Sequence, residues 1–381
     1  MASEYNIYDV NWKIFNIDSL KYHFEIKFDY IIGNPPYVTY QELHKEQRQY
    51  IKDKFDTCKK GKFDYCYAFI ENDLKLLAPY GRMTYLIPSS IFKNVYAQEL
   101  REFIKPYITA IYDFTVIKVF PDALTSSAVM ICENKPQKES EHVNYYDVAH
   151  NKVNIISRNV LENKWKFHEQ QTGKVKFSSY FKASIVIATL LNKAFVLDDF
   201  TREEEFFTNG TDIIEADIVR ATTSPRLLNY NKKANIIFPY YYENGILKRY
   251  SEEQFLQLFP NATRYLNKFM DKLLERDCDK SATWFEYGRS QALEHINQPK
   301  LLLSTVVTNA VKVYELSKDI IPFSGIYITP TGKYSLQMAK QILESNEFYE
   351  YVRNIGIYAS GNSIRITAKD INNFDFNTQN I

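Results

Sequence analysis

Cysteine and glycine are both scarce in this 381-residue chain. The four cysteines, Cys58, Cys66, Cys132 and Cys278, form no Cys-x-x-Cys pair. That excludes a zinc ribbon and a disulfide framework and predicts reduced, structural thiols with no metal site. Of the 11 glycines, none precedes Gly33 and no two are separated by a single residue. A Gly-x-Gly turn, which brings backbone close to a nucleotide cofactor, is therefore absent. Long apolar runs are missing too, and the start Met1-Ala2-Ser3-Glu4-Tyr5 has no signal core, so a cytoplasmic location is expected. Charge of one sign is equally lacking. Residues 1–150 hold 18 basic and 20 acidic side chains and the remainder 29 and 26, so any phosphate-binding surface must come from local clustering.

Aromatics are plentiful, with 30 tyrosines and 26 phenylalanines. Alongside so much Ile, Asn and Lys, this composition reflects an A/T-rich genome better than it reflects base stacking. The first part of the chain alternates strand and helix signals. Phe28–Gly33 is a short apolar run stopped by Pro35-Pro36, as in a buried strand running into a loop. Asp64 to Ala78 has helical spacing, Pro79-Tyr80-Gly81 breaks it, and Arg82–Pro88 reads as the next strand. A helix capped by Ser89 or Ser90 runs to about Lys105, and Ile111–Val116 and Ser127–Cys132 are further strands. This rhythm predicts a doubly wound α/β sheet. Beyond about residue 175 the pattern becomes α+β, with helices expected over Phe181–Asn192, Glu252–Arg276 (broken at Pro260) and Ser335–Asn346. The boundary falls near 165–178, giving domains 1–165 and 175–381.

The sharpest local feature is Asn34-Pro35-Pro36-Tyr37, directly after the first strand. Its expected place is the carboxyl end of a strand in an open sheet, where such sheets bind ligands. The lone pair of an adenine amino group is delocalised into the ring. Two fixed acceptors taking both N–H hydrogens would localise it. The Asn34 side-chain oxygen and the Pro35 carbonyl suit that task, proline fixes the backbone direction, and Tyr37 can stack on the base.

With these residues in view, the chain resembles the gamma-class N6-adenine DNA methyltransferases, including those fused into type IIG restriction–modification enzymes. Asn34–Tyr37 matches the catalytic motif of that family, and Asp18 lies where the family places an acid that binds the cofactor's adenine. The family follows that acid with an aromatic or large apolar residue, whereas here Ser19 follows. Val119-Phe120-Pro121 looks like the motif that supplies a second aromatic against the flipped base. The resemblance implies a partial Rossmann-like methyltransferase sheet in 1–165, followed by a target-recognition domain in 175–381. It further implies S-adenosylmethionine as methyl donor and double-stranded DNA as substrate. Because the family's Gly-rich cofactor loop is absent, a separate or missing N-terminal segment is expected to carry it, with weak cofactor binding by this chain alone. In the second region, Arg220, Tyr287, Arg289, Gln291, Asn362 and Arg365 have the groups to meet base edges or phosphates.

Three other readings stay open. Pro121-Asp122 with Glu133 and Lys135 fits the loose pattern of a metal-dependent nuclease, in which Asp122 and Glu133 would bind Mg²⁺. A DNA-binding specificity module without catalysis would explain the lost cofactor loop. Asn-Pro-Pro-Tyr also serves methylation of glutamine amides or RNA, although such enzymes usually lack so long a downstream region.

Overall fold

The computed structural model describes residues 13–117, 119–120, 126–135, 142–167, 174–332, 334–358 and 363–377. The chain separates into two compact units, Met1–Glu169 and Gln170–Ile381. No described helix is long and apolar enough to cross a membrane.

The first unit is built on strands β1 (Phe28–Gly33), β2 (Leu77–Pro88), β3 (Ile108–Asp113), β4 (Ser127–Glu133), β5 (His142–Asp147) and β6 (Lys152–Ser157). They form one mixed sheet in the order β1-β2-β4-β3-β5-β6. Strands β1 and β2 are parallel, as are β3 and β5, while β4 runs antiparallel between β2 and β3. Helices α1 (Lys45–Lys54), α2 (Cys66–Leu76) and α3 (Gln98–Ile104) connect them. The α/β architecture arises from the alternation of local signals, and one sheet face makes the core. Met83, Tyr85, Ile87, Ile111, Met130 and Cys132 pack with Ile51, Ile70, Leu74, Leu100 and Ile104 from the helices. Each such burial is worth roughly 1.5–3 kcal/mol. Trp165 and Phe167 close this core, with Phe167 stacked on Tyr145 at 4.4 Å.

Two expectations for this unit need adjusting. Strand β2 begins at Leu77 rather than Arg82, because Phe28 pairs with Leu77 and Tyr80, at a φ of 64°, accommodates the register shift beyond it. The continuous helix expected over 89–105 is instead two 3₁₀ turns, Ser89–Phe92 and Val95–Ala97, leading into α3. The Asn94 side chain accepts from the Tyr96 N–H, and buried Arg101 donates to the carbonyls of Ile91 and Asn94, both at 2.7 Å. These side-chain bonds replace helical ones and hold the break.

The second unit is α+β, with two antiparallel-rich four-stranded sheets and two apolar clusters. The helix expected over Phe181–Asn192 is not formed. Phe181–Ile185 is a strand antiparallel to Ile326–Pro330, and the short helix there is Asn192–Phe195. β-Branched residues at 185–187 and a long cross-strand partner outweigh the helical spacing of the apolar positions. Glu252–Arg276 divides into Glu252–Leu258, Pro260–Asn267 and Met270–Leu274. The last expected helix is Leu336–Leu343, succeeded by Asn346–Ile355, which Ser345 caps. Lys300 is buried, donates to the carbonyls of Ser317 and Ile320, and is pushed down to about 8 by its loss of hydration.

Candidate active site

The sheet registers bring several chain segments to one edge. Gly33 pairs with Tyr85, Pro88 with Ser127, and Ala128 with Asp113. The residues after β1, β2 and β3 therefore emerge together, at the carboxyl ends of three parallel-running strands, where open α/β sheets bind ligands. Asn34–Tyr37 leaves from β1 and Ser89–Ser90 from β2. Phe120 belongs to the connection from β3 back to β4, which starts with the Phe114 N–H donating to the Ser127 carbonyl at 3.0 Å.

Local chemistry explains why the chain turns out of the sheet at Asn34. Proline at 35 and 36 offers no N–H to continue the ladder and restricts the residue before it to extended backbone. Gly33 is required by close approach. A Cβ there would lie 2.8 Å from Cε1 of Tyr85. The Tyr85 ring is held in turn by its hydroxyl, which donates to the carboxylate of Asp73 on α2. Burial raises the pKa of Asp73, with the Tyr85 and Asn72 hydrogen bonds partly opposing that rise. A buried phenol–carboxylate pair thus sits under the last residue of β1 and fixes where the loop begins. No sequence motif marks Tyr85 and Asp73 as a pair. The one local sign is a tyrosine at an inward position of β2, whose polar tip needs a partner.

Within the loop, Asn34 and Pro36 are exposed, Pro35 is buried and Tyr37 is half-buried. Among the described residues no group hydrogen-bonds the Asn34 amide, so its oxygen is available to an incoming donor. The Tyr37 hydroxyl is shielded from solvent without a partner, and burial raises its pKa, with smaller contributions from Cys66 and Asp64. The ring packs against the core of the unit. Beyond it the backbone is pinned to the start of α2: the Tyr65 N–H donates to the Val38 carbonyl at 2.9 Å, and Thr39 bridges Asp64. Thr39 also gives its N–H and hydroxyl to Glu42, at 2.8 and 2.7 Å. The loop is anchored at both ends, with an amide left free between.

Asp18 lies on an exposed turn. Its carboxylate accepts from the Leu20 N–H at 3.1 Å and pairs with Lys21 at 3.5 Å. Leu20 is buried, and its carbonyl takes the Tyr50 hydroxyl at 3.2 Å, which docks the turn onto α1. Phe120 is half-buried.

The nuclease pattern finds no support. Glu133 stands at the far end of β4, opposite Arg82 in β2. Arg82 is level in turn with Tyr30, four residues before Asn34, so Glu133 lies about 13 Å from Asn34 along the strand direction at 3.3 Å per residue. Its carboxylate is taken by Arg82 and Lys135, each at 2.5 Å. Asp122 lies outside the described residues, among which no cluster could hold a metal ion.

In the second unit one candidate must be withdrawn. Tyr287 is fully buried: its N–H donates to the Tyr240 hydroxyl at 2.9 Å and its hydroxyl to the Ile237 carbonyl at 2.7 Å. It is a core residue and cannot meet DNA. Phe285 and Glu286 are buried beside it, and Arg276 donates to the carbonyls of Thr189, Trp284 and Glu286, so the 285–288 stretch is held inward. The chain returns to the surface just after it. Gln291 is exposed, and Arg289 is half-buried between Asp277 at 3.0 Å and Asp279 at 3.4 Å. Arg220 is exposed with its guanidinium turned to the carbonyls of Asp217 and Val219. Arg365 is exposed on the strand Ile364–Arg365, and Asn362 lies outside the described residues.

Comparison with known proteins points the same way as this geometry. Residues 2–120 match the family described as Eco57I restriction-modification methylase. The chain is 22% identical over 386 residues to the type II restriction enzyme and methyltransferase RM.Eco57I of Escherichia coli, covering 86% of this chain and 38% of that protein. It is 22% identical over 393 residues to the type II methyltransferase M.BstVI of Geobacillus stearothermophilus, covering 90% and 66%. The chain thus spans only part of the length of these relatives. Among solved structures it is similar to the type IIL restriction–modification enzyme MmeI in complex with DNA. The TM-score is 0.57 at 13% identity, over 90% of this chain and 46% of that one, a likeness of fold.

Proposed function

We propose, from the match of residues 2–120 to the Eco57I restriction-modification methylase family, that the chain is a member of that family and carries the base-handling part of a DNA methyltransferase. The target would be the N6 amino group of an adenine turned out of double-stranded DNA. The observation that carries this reading is the unengaged Asn34 amide, on a loop anchored at both ends and emerging at the carboxyl edge of the sheet.

A duplex hides the adenine amino group in the base stack, so the nucleotide must be extruded first. Tyr37 and Phe120 then offer rings to the extruded base. The Asn34 side-chain oxygen and the Pro35 carbonyl accept its two N–H hydrogens, drawing the nitrogen toward tetrahedral geometry with a localised lone pair. S-adenosylmethionine, when bound, supplies a sulfonium methyl group for that lone pair. The surplus proton of the methylated amino nitrogen would pass to water. Dipoles fixed in advance are worth most where water is excluded, which is the role given to the Gly33–Tyr85–Asp73 stack beneath the loop.

The chain's own residues fit the cofactor only in part. Asp18 is a single exposed acceptor, and no Gly-x-Gly turn accompanies it. We therefore assign the rest of the cofactor site to a complementing segment. Two features support this. β1 is an edge strand with Tyr30 and Ile32 exposed by 74% and 83%, and such edges are covered in stable proteins. The outer sheet face, with Leu86, Val129, Ile131, Tyr112 and Tyr146, is only half-buried. The second unit is assigned to target recognition, with Arg220, Arg289, Gln291 and Arg365 as its surface candidates and Asn362 three residues before Arg365 in sequence.

Sequencing of modified bases in genomic DNA tests the assignment. Cells carrying this gene with its genomic neighbours are expected to show N6-methyladenine at one short motif, lost on deletion of the gene. Unchanged methylation after deletion, or modification at cytosine, would overturn it.

A further inference from the structure

We propose that the face of α1 bearing Lys45, Arg48 and Lys52, together with Tyr40, is a seat for backbone phosphates of duplex DNA beside the extruded base. This deepens the reading above and rests on it. Residues 45, 48 and 52 lie within about 60° of one another around the helix at 100° per residue, so their side chains share a face. The acids of α1 lie to one side of it, and Asp53 is engaged by Gln49 at 2.8 Å. Lys54 faces elsewhere, donating to the Leu20 carbonyl.

These three cations differ from their neighbours in lacking acidic partners. Lys59 pairs with Asp56 and Lys60 with Glu99, whereas none of the three takes part in an ion pair among the described residues. Arg48 and Lys52 are nevertheless held in place. The Arg48 guanidinium lies 4.7 Å from the centre of the Tyr40 ring and the Lys52 ammonium 5.1 Å from it. Tyr40 is fixed edge-on against buried Phe63 at 5.2 Å. Arg48 donates to the Gln41 carbonyl at 2.8 Å, while its Nε is shielded from solvent and has no partner. Two cations gathered on one ring repel each other unless an anion joins them, and an aromatic platform beneath them provides attraction without neutralising them.

Position indicates which anion. Tyr40 is three residues beyond Tyr37, on the stretch that leaves the carboxyl edge of the sheet and is pinned at Val38 and Thr39. A strand whose nucleotide is drawn into the Asn34 loop must pass close by, and a planar guanidinium flanked by ammonium groups suits a phosphodiester. Such contacts position the strand without reading sequence.

The test is the salt dependence of duplex binding by the full chain, using DNA of arbitrary sequence. The triple variant Lys45→Gln, Arg48→Gln, Lys52→Gln is expected to flatten the slope of log K against log salt by about 2–3, at about 0.9 per phosphate contact. The affinity deficit should narrow as salt rises. The double variant Lys45→Gln, Lys52→Gln, which keeps the Arg48–Gln41 bond, should flatten it by about 2 with an unchanged melting temperature. If the parent binds duplex DNA and both variants keep its slope, this inference fails and the methyltransferase reading stands. A parent chain without salt-dependent duplex binding removes both.

Discussion

Replacing Asn34 with alanine is expected to lower methyl transfer by about 10²–10³-fold, the usual cost of deleting one preorganised polar group at a reacting centre. The assay is incorporation of labelled methyl groups into duplex DNA by the chain with the products of its neighbouring genes added. Asn34 is exposed and makes no hydrogen bond with the described residues. Its loss should therefore leave the melting temperature and duplex affinity close to those of the parent. Asn34→Asp keeps an acceptor and should retain more activity than Asn34→Ala. Equal activity in the two variants would show that the side-chain oxygen is not what grips the amino group. A large loss of stability in Asn34→Ala would instead make the residue structural.

The second large effect concerns the other unit. Arg276 donates through Nε to Leu273, through Nη1 to Thr189 and Glu286, and through Nη2 to Trp284, at 2.7–3.0 Å. Four main-chain carbonyls thus depend on one guanidinium, which also lies over the Phe195 ring at 5.5 Å. Arg276→Ala strands those carbonyls in surroundings made by Tyr240, Phe285 and Tyr287, all buried. The expected destabilisation is about 2–4 kcal/mol, since removing a half-buried guanidinium takes the donor from four main-chain carbonyls at about 1 kcal/mol each. Denaturant unfolding of the full chain should show the transition of the second unit moved to lower denaturant, with that of the first unit in place. Because Arg276 holds the stretch leading to Arg289 and Gln291, duplex binding should weaken as well. A shift below about 1 kcal/mol, the worth of a single ordinary hydrogen bond, would contradict the account of Arg276 as the clamp.

Much of the first unit is legible in the sequence because its signals are local. A short apolar run leading into Asn34-Pro35-Pro36 is a strand that must end, since proline removes the donor the ladder needs. The Tyr85–Asp73 pair is not legible in the same way. It joins β2 to α2 through a ring lying against Gly33, and no spacing in the sequence shows that contact. Arg101, which fills carbonyls at Ile91 and Asn94, turns an apparent single helix into two turns and a helix for the same reason.

The second unit is harder to read, and its departures from expectation have one origin. Phe181–Ile185 has apolar positions that suit either period, and pairing with Ile326–Pro330 decides for a strand. Tyr287 stands beside Gly288 and Arg289 and so resembles an aromatic on a DNA-facing loop. Its hydroxyl instead meets the Ile237 carbonyl inside the core. Whether an aromatic stacks on a base or packs in a core depends on which side of the loop faces the sheet, and side-chain identity is the same in both cases. The exposed polar residues on either side of such stretches, Gln291 and Arg365 among them, carry no local mark of their ligand.

The central claim is that the loop at the end of β1 receives a base extruded from the duplex. Photo-cross-linking tests it most directly, once the methylated motif is known. A duplex carrying 5-iodouracil in place of the target adenine is irradiated with the protein, and the adduct is located by mass spectrometry. The account predicts an adduct on Tyr37. Efficient cross-linking confined to residues outside 34–37 and 120, from DNA that is bound and whose native counterpart is methylated, would contradict it.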